Sequence, residues 1–166
     1  MNCNILEKAP CSVGIFIDRK VLHGSVSVLK SQTLYLVAVL YMGGNDDGET
    51  LAYGARMAEH PQVNLTVIRF LQFGCDSARE RKLDNDVTDE FKRKNAHNNR
   101  IKYREEVLRD GEGVAAVIRE LGNIFNLMMV GRHHKADSRL LSGLNEWNEC
   151  PELGIVGDML ASPDLK

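Results

Sequence analysis

The chain has 166 residues, and its 21 basic and 23 acidic side chains leave a formal net charge of −2. No global field draws such a chain to nucleic acid or to an anionic membrane surface, and the length is that of one domain able to bury roughly 70% of its unfolded surface. The longest apolar run, Leu34 to Met42, falls far short of the ~20 residues a membrane helix needs, and Met1 to Asn4 carries neither the basic start nor the apolar stretch of a secretory signal.

Along the chain, Ser12 to Asp18 reads as a short strand, with Val13, Ile15 and Ile17 on one face. Arg19 to Gln32 is polar and small-rich, as a linker would be. Leu34 to Tyr41 is apolar almost without interruption, the pattern of a central parallel strand covered on both faces. The Gly43-Gly44-Asn45-Asp46-Asp47-Gly48 stretch breaks it, and Asp46 with Glu49 three residues on resembles a capping pair at a helix start. Leu51, Ala55 and Ala58 mark one face of that helix, and Pro61 ends it.

Val63 to Phe70 is the next strand. Cys75 to Asn99 is strongly charged and reads as an exposed loop and a surface helix, with a thin apolar stripe of Leu83, Val87 and Phe91. Ile101, Tyr103, Glu105 and Val107 alternate with Lys102, Arg104 and Glu106, which suits a half-exposed edge strand. Gly111 and Gly113 open a helix with Val114, Val117, Ile118 and Leu121 at helical spacing and Gly122 as its stop. Asn126 to Val130 returns to the sheet. A Leu/Trp segment around Leu140 and Trp147 follows, and Pro151 to Ala161 reads as a final helix. Strands alternating with helices predict an α/β fold with an open parallel sheet, helices on both faces and right-handed crossovers.

Cys3, Cys11, Cys75 and Cys150 form no C-x-x-C pair, so reduced thiols in a cytosolic setting are expected. Asn64-Leu65-Thr66 matches a glycosylation sequon but lies inside an expected strand. No set of side chains stands at metal-ligand spacing, and no Ser-His-Asp or Cys-His arrangement has local support. His133 and His134 read as two solvent-facing loop histidines, of the residue type that titrates near neutrality. The strand ending at Val130 runs into Gly131-Arg132, the place where an open α/β sheet offers a ligand site.

Several stretches resemble the C-terminal hydrophilic region of plant cation/H⁺ exchangers, a branch of the monovalent cation:proton antiporters. They are Ala9 to Ile15 with Asp18-Arg19, Gly43 to Asp47, Leu51 to Gly54 with Arg56 to Pro61, Leu65 to Val67, and Val130 through Ser162. The resemblance implies a cytosolic regulatory tail rather than a transporter or an enzyme, working in potassium and pH homeostasis. Its partners would be the membrane domain and a preceding cytosolic domain of the parent antiporter, in a plant endomembrane or plasma membrane. It also implies a likeness to universal stress proteins, about five strands in the order 3-2-1-4-5. Residues 1–32 would then be the closing strand of a preceding similar domain plus a linker, and residues 33–166 the α/β domain. Ser12–Asp18 is expected to pair beside Asn126–Val130, within the chain or in a homodimer joined through edge strands.

That strand order makes Gly43 and Gly44 face Gly131 and Arg132 across one crevice, with Asp46, Asp47, His133 and Ser138 around it. The resemblance makes this crevice the candidate site for a nucleotide or other anion. Universal stress proteins that bind AMP or ATP carry G-x-x-G-x9-G-[ST] after the fourth strand; here only Gly131 fits, with His134, Leu144 and Asn145 at the other positions. Asp46 and Asp47 at a helix N-terminus would also repel a phosphate. The alternative to a regulatory tail is a free-standing nucleotide-binding protein of the same fold.

Overall fold

The structure is a computed structural model that describes residues 6, 8–18, 34–74, 78–135, 138–144 and 149–162. Four strands form one parallel sheet in the order β3-β2-β1-β4. They are β1 (Tyr35–Tyr41), β2 (Val63–Gln72), β3 (Ile101–Leu108) and β4 (Leu127–Val130). Helix α1 (Asn45–Met57) follows β1, α2 (Ala78–Asn95) follows β2, and α3 (Gly111–Leu121) follows β3. Two 3-10 turns, Arg139–Leu141 and Pro151–Leu153, precede α4 (Gly154–Ala161). No helix among the described residues is long and apolar enough to cross a membrane.

The continuous apolar pattern of β1 has its expected cause. Ala38 and Leu40 point into one core with Ile68, Phe70, Val114, Ile118, Leu121, Leu140, Leu141 and Val156. Val37, Val39 and Tyr41 point into the other with Leu51, Ala58, Val63, Leu65, Val67 and Phe91. Burying each large aliphatic or aromatic side chain contributes about 1.5–3 kcal/mol. β1 pairs in parallel with β2 and β4, and its end is aligned so that Tyr41 stands beside Arg69. Arg69 in turn stands beside Glu105 of β3. Tyr41, Arg69 and Glu105 therefore form one row across the C-terminal ends of three strands.

Five expectations need correction. The sheet has four strands among the described residues, not five, and Ser12–Asp18 takes no place in it. That segment lies with Val13, Phe16 and Ile17 exposed and the Ser12 hydroxyl donating to Glu49 Oε2 at 3.1 Å. Alternating apolar residues give a segment strand propensity but not a partner edge in register, and propensity alone does not hold a strand. Second, Asp46 does not cap α1: the N-cap is Gly44, and the Gly43-Gly44 turn (φ +113° and +96°) carries the chain into the helix. Third, Leu83 and Val87 are exposed, and α2 buries Thr88 with Phe91 instead. Fourth, the predicted helix over Pro151–Ala161 is broken by Gly154 at φ +72°, where a Cβ would strike the Arg132 carbonyl oxygen. Fifth, His134 is buried, not solvent-facing, its side chain only 4% exposed. The linker Arg19–Gln32, Trp147, Cys3 and Cys75 lie outside the described residues; Cys11 and Cys150 are free thiols.

Candidate functional site

The turn after β1 needs glycine twice, because both positions sit at positive φ. At Gly43 a Cβ would also strike the Asp84 carboxylate. With the helix starting at Gly44, Asp46 and Asp47 fall in the first turn of α1, where carboxylates complement the dipole. Their side chains are spent on the loops rather than on capping. The Asp47 carboxylate is fully buried. Its Oδ2 accepts from the amides of Met42 at 2.6 Å and Gly43 at 3.0 Å, and its Oδ1 from the Gly131 amide at 2.8 Å. One carboxylate thus ties the end of β1 to the end of β4. A Cβ on residue 131 would stand 2.5 Å from Asp47 Oδ1 and 2.7 Å from the Asp47 nitrogen, so the close approach requires glycine there.

The loop after β4 adds two histidines. His134 Nε2 lies 3.3 Å from both oxygens of Asp47. His133, 69% exposed, meets Asp46 twice: its amide donates to Oδ2 at 3.0 Å and its ring Nδ1 sits 2.7 Å from the same oxygen. Partial burial pushes the Asp46 carboxyl up, but the hydrogen bonds from the His133 ring and amide and the ring's charge outweigh it, and the net shift is downward. The Arg132 amide adds a further bond to Asp46.

From the other side, α2 supplies Asp84, whose Oδ1 accepts from the Tyr41 hydroxyl and from the Gly44 amide, both at 3.1 Å. Burial raises the Tyr41 phenol, and the charge and hydrogen bond of Asp84 raise it further. Next to it lies Arg69, its side chain only 6% exposed. It donates to Asn85 Oδ1 at 2.7 Å and to Thr88 Oγ1 at 3.2 Å, while the Glu105 carboxylate is 3.7 Å away. The Tyr103 hydroxyl donates to Glu105 at 2.9 Å, and Lys92 Nζ stands 4.0 Å over the Tyr103 ring.

Of the candidate site residues, Gly43, Gly44, Asp46, Asp47, Gly131 and His133 meet at one junction, and Arg132 joins through its backbone amide. Ser138 is set apart, its amide donating to the Lys135 carbonyl at the start of the Arg139–Leu141 turn. Sequence reasoning missed Asp84, Asn85 and Thr88 and left His134 out of the site. A signal for the first three was present: Asp84, Asn85 and Thr88 share a helix face, opposite Arg69, a lone charge in an apolar strand. The amides that would cradle a phosphate are taken by Asp47, and Asp46 and Asp84 add negative charge beside them. Open surface hollows of about 480 and 310 Å3 lie along α2, at Arg81 to Asp89 and at Phe91 to Tyr103. No cluster of His, Cys, Asp and Glu able to hold a metal occurs among the described residues.

The family described as plant cation/H(+) antiporter, C-terminal domain, matches residues 34–166. Cation/H(+) antiporter 14 of Arabidopsis thaliana is 48% identical over 171 residues, covering 99% of this chain and 21% of that protein. Cation/H(+) symporter 13 and Cation/H(+) antiporter 15 of the same plant are 45% and 39% identical, each over 99% of this chain and 20% and 22% of their own lengths. The chain thus spans about a fifth of these relatives. Among solved structures, protein Rv1636 from Mycobacterium tuberculosis H37Rv is similar at a TM-score of 0.40 and 14% identity, over 67% of this chain and 82% of that one.

Proposed function

The chain belongs to the plant cation/H(+) antiporter C-terminal domain family, and we propose that it is a regulatory domain, held on the cytosolic side of the membrane, that acts on the ion-conducting part of such a transporter. It neither moves ions itself nor catalyses a reaction. The transported ion is a monovalent cation, potassium foremost, exchanged for protons, and the setting is ion and pH homeostasis. The observation that carries this reading is the junction at the ends of β1 and β4. Asp47 binds both loops and occupies the amides a nucleotide would need, so this part of the fold is fastened by its own side chains rather than set up to turn over a ligand.

The test is cation/proton exchange by the whole transporter in proteoliposomes, with and without the region corresponding to residues 34–166. The expected result is exchange that persists without the region but with an altered rate. An unchanged rate, or transport by the 166-residue chain alone, overturns the reading. Calorimetry with AMP and ATP addresses the nucleotide-binding alternative: no heat at millimolar ligand supports the regulatory role, whereas tight binding with turnover replaces it. The relatives include proteins named as antiporters and one named as a symporter, so the direction of coupling is an outcome of the same transport assay.

A further inference from the structure

We propose that His133 and His134 form a proton-operated toggle on the two acids that open α1, with neutral His134 seating the loop on Asp47 and charged His133 holding it on Asp46. The inference concerns this chain itself and stands whether or not the chain regulates a transporter.

The inner seat is shaped for an uncharged ring. Asp47 is surrounded by three amide donors, so its carboxylate accepts from His134 and Nε2 carries the hydrogen. The other ring nitrogen, Nδ1, is buried with no hydrogen-bond partner among the described residues. In the neutral ring that atom is a bare lone pair. A second proton would make it a buried cationic donor with no acceptor among the described residues, the more costly of the two states. The attraction of Asp47 for a charged ring opposes this. That carboxylate, however, is already engaged by amides at 2.6 to 3.0 Å, all closer than the 3.3 Å to the ring.

The outer seat has the opposite preference. His133 is solvent-exposed, so charging it costs little desolvation, and its Nδ1 lies 2.7 Å from Asp46, the length of a charge-assisted bond. Asp46 itself is held below the usual carboxylate range, so it stays ionised as the ring gains its proton. Among the described residues, the other charged or titratable groups around the junction are Arg132 and Lys135 on the same loop, Asp84 on α2, Tyr41 on β1 and, beside Tyr41, Arg69 on β2. Of these residue types, only histidine ordinarily changes charge between pH 5 and 8. Because the two histidines are consecutive, acidification adds one proton to each ring, weakening the inner hold while strengthening the outer one, and the Gly131 amide on Asp47 reports the difference.

Amide exchange and ring nitrogen shifts of the 15N-labelled 166-residue chain, followed from pH 8 to 5.5, test the toggle. The expected result is that Gly131 protection, corrected for intrinsic exchange, falls about tenfold in acid, in step with proton uptake at His134 Nδ1. His134→Gln keeps a donor toward Asp47 without a titrating ring and flattens that fall. His133→Gln removes the outer hold and deepens it. Constant Gly131 protection in the parent chain, an undiminished fall in His134→Gln, or wild-type behaviour of His133→Gln each overturns the proposal. Should His134→Gln not fold, the parent chain still decides: loss of Gly131 protection without proton uptake at His134 Nδ1 also overturns it.

Discussion

On one face of the sheet, Ala38, Leu40, Ile68 and Phe70 meet Val114, Ile118, Leu121, Leu140, Leu141 and Val156 in one apolar cluster. On the other face, the apolar cluster of Val37, Val39, Leu65 and Val67 gives way toward the strand ends to Tyr41, Arg69 and Glu105 under Asp84, Asn85 and Thr88 of α2. The first face is held by area removed from water, which is non-directional and tolerant of exchange among apolar residues. The second is held by donors and acceptors at fixed places, where losing one partner leaves another unmet. It also carries the loop junction, so specific positioning and the polar face coincide in this molecule.

The largest effect expected from this contrast is at Asp47. Replacing it with Ala orphans the amides of Met42, Gly43 and Gly131 together, a loss of about 3–5 kcal/mol in denaturant unfolding. A loss under ~1 kcal/mol would mean that water reaches those amides and that the junction is not a fastening point. On the dry face, Ile118→Ala leaves a cavity in the centre of the core and should cost about 2–5 kcal/mol by the same measurement.

Arg69→Met keeps the length of the side chain and removes the charge. Because Glu105 is 41% exposed and can rehydrate, the expected cost is only about 1–2 kcal/mol. A loss larger than that of Ile118→Ala would mean that Thr88 and Asn85, deprived of their donor, find no water in its place.

Tyr41→Phe should cost about 1 kcal/mol at neutral pH through the lost bond to Asp84. Burial, then the charge and hydrogen bond of Asp84, raise the Tyr41 phenol. Its contribution is therefore complete below the ordinary phenol value of about 10 and is lost as pH rises toward the folded-state value. Unfolding curves between pH 8 and 11 should show the deficit of Tyr41→Phe shrinking with pH; a constant deficit would mean that this phenol is not the alkaline weak point. Asp46→Asn has the opposite sign. The depressed carboxyl contributes above the ordinary carboxylate range and loses that contribution as pH falls through the lowered value. Because Asp46 is partly exposed, the effect at neutral pH should stay within ~0.5 kcal/mol.

The smallest effect is expected at Leu83→Ser, within about 0.5 kcal/mol, since Leu83 is 63% exposed. That prediction separates the face read from periodicity from the one that packs. Leu83, Val87 and Phe91 have the spacing of an inward stripe, yet only Phe91 reaches the core.

Where burial is apolar, the sequence alone was decisive. The unbroken Leu34–Tyr41 run fixes a central strand, the alternation of Ile101 to Val107 fixes an edge strand although Val107 on its apolar side is 60% exposed, and Val114, Val117, Ile118 and Leu121 fix the buried face of α3. In β1 and α3 hydrophobic period and secondary-structure period agree, because the hydrophobic effect depends on how much surface is covered and hardly on what covers it. Gly43, Gly44 and Gly131 could be placed at one crevice only through the strand order that the family resemblance implies. Hydrogen bonds depend on partners, and partners far apart in sequence meet only in the tertiary fold. Asp47 and Gly131 are 84 residues apart and Tyr41 and Asp84 are 43 apart, so no local pattern reveals them. The same physics set apart Ser12–Asp18, whose alternation is that of a strand but which pairs with no strand of the described sheet. It also buried His134 while leaving its neighbour His133 in water: successive side chains on an extended loop point opposite ways, and only the position of Asp47 decides which of them goes inside.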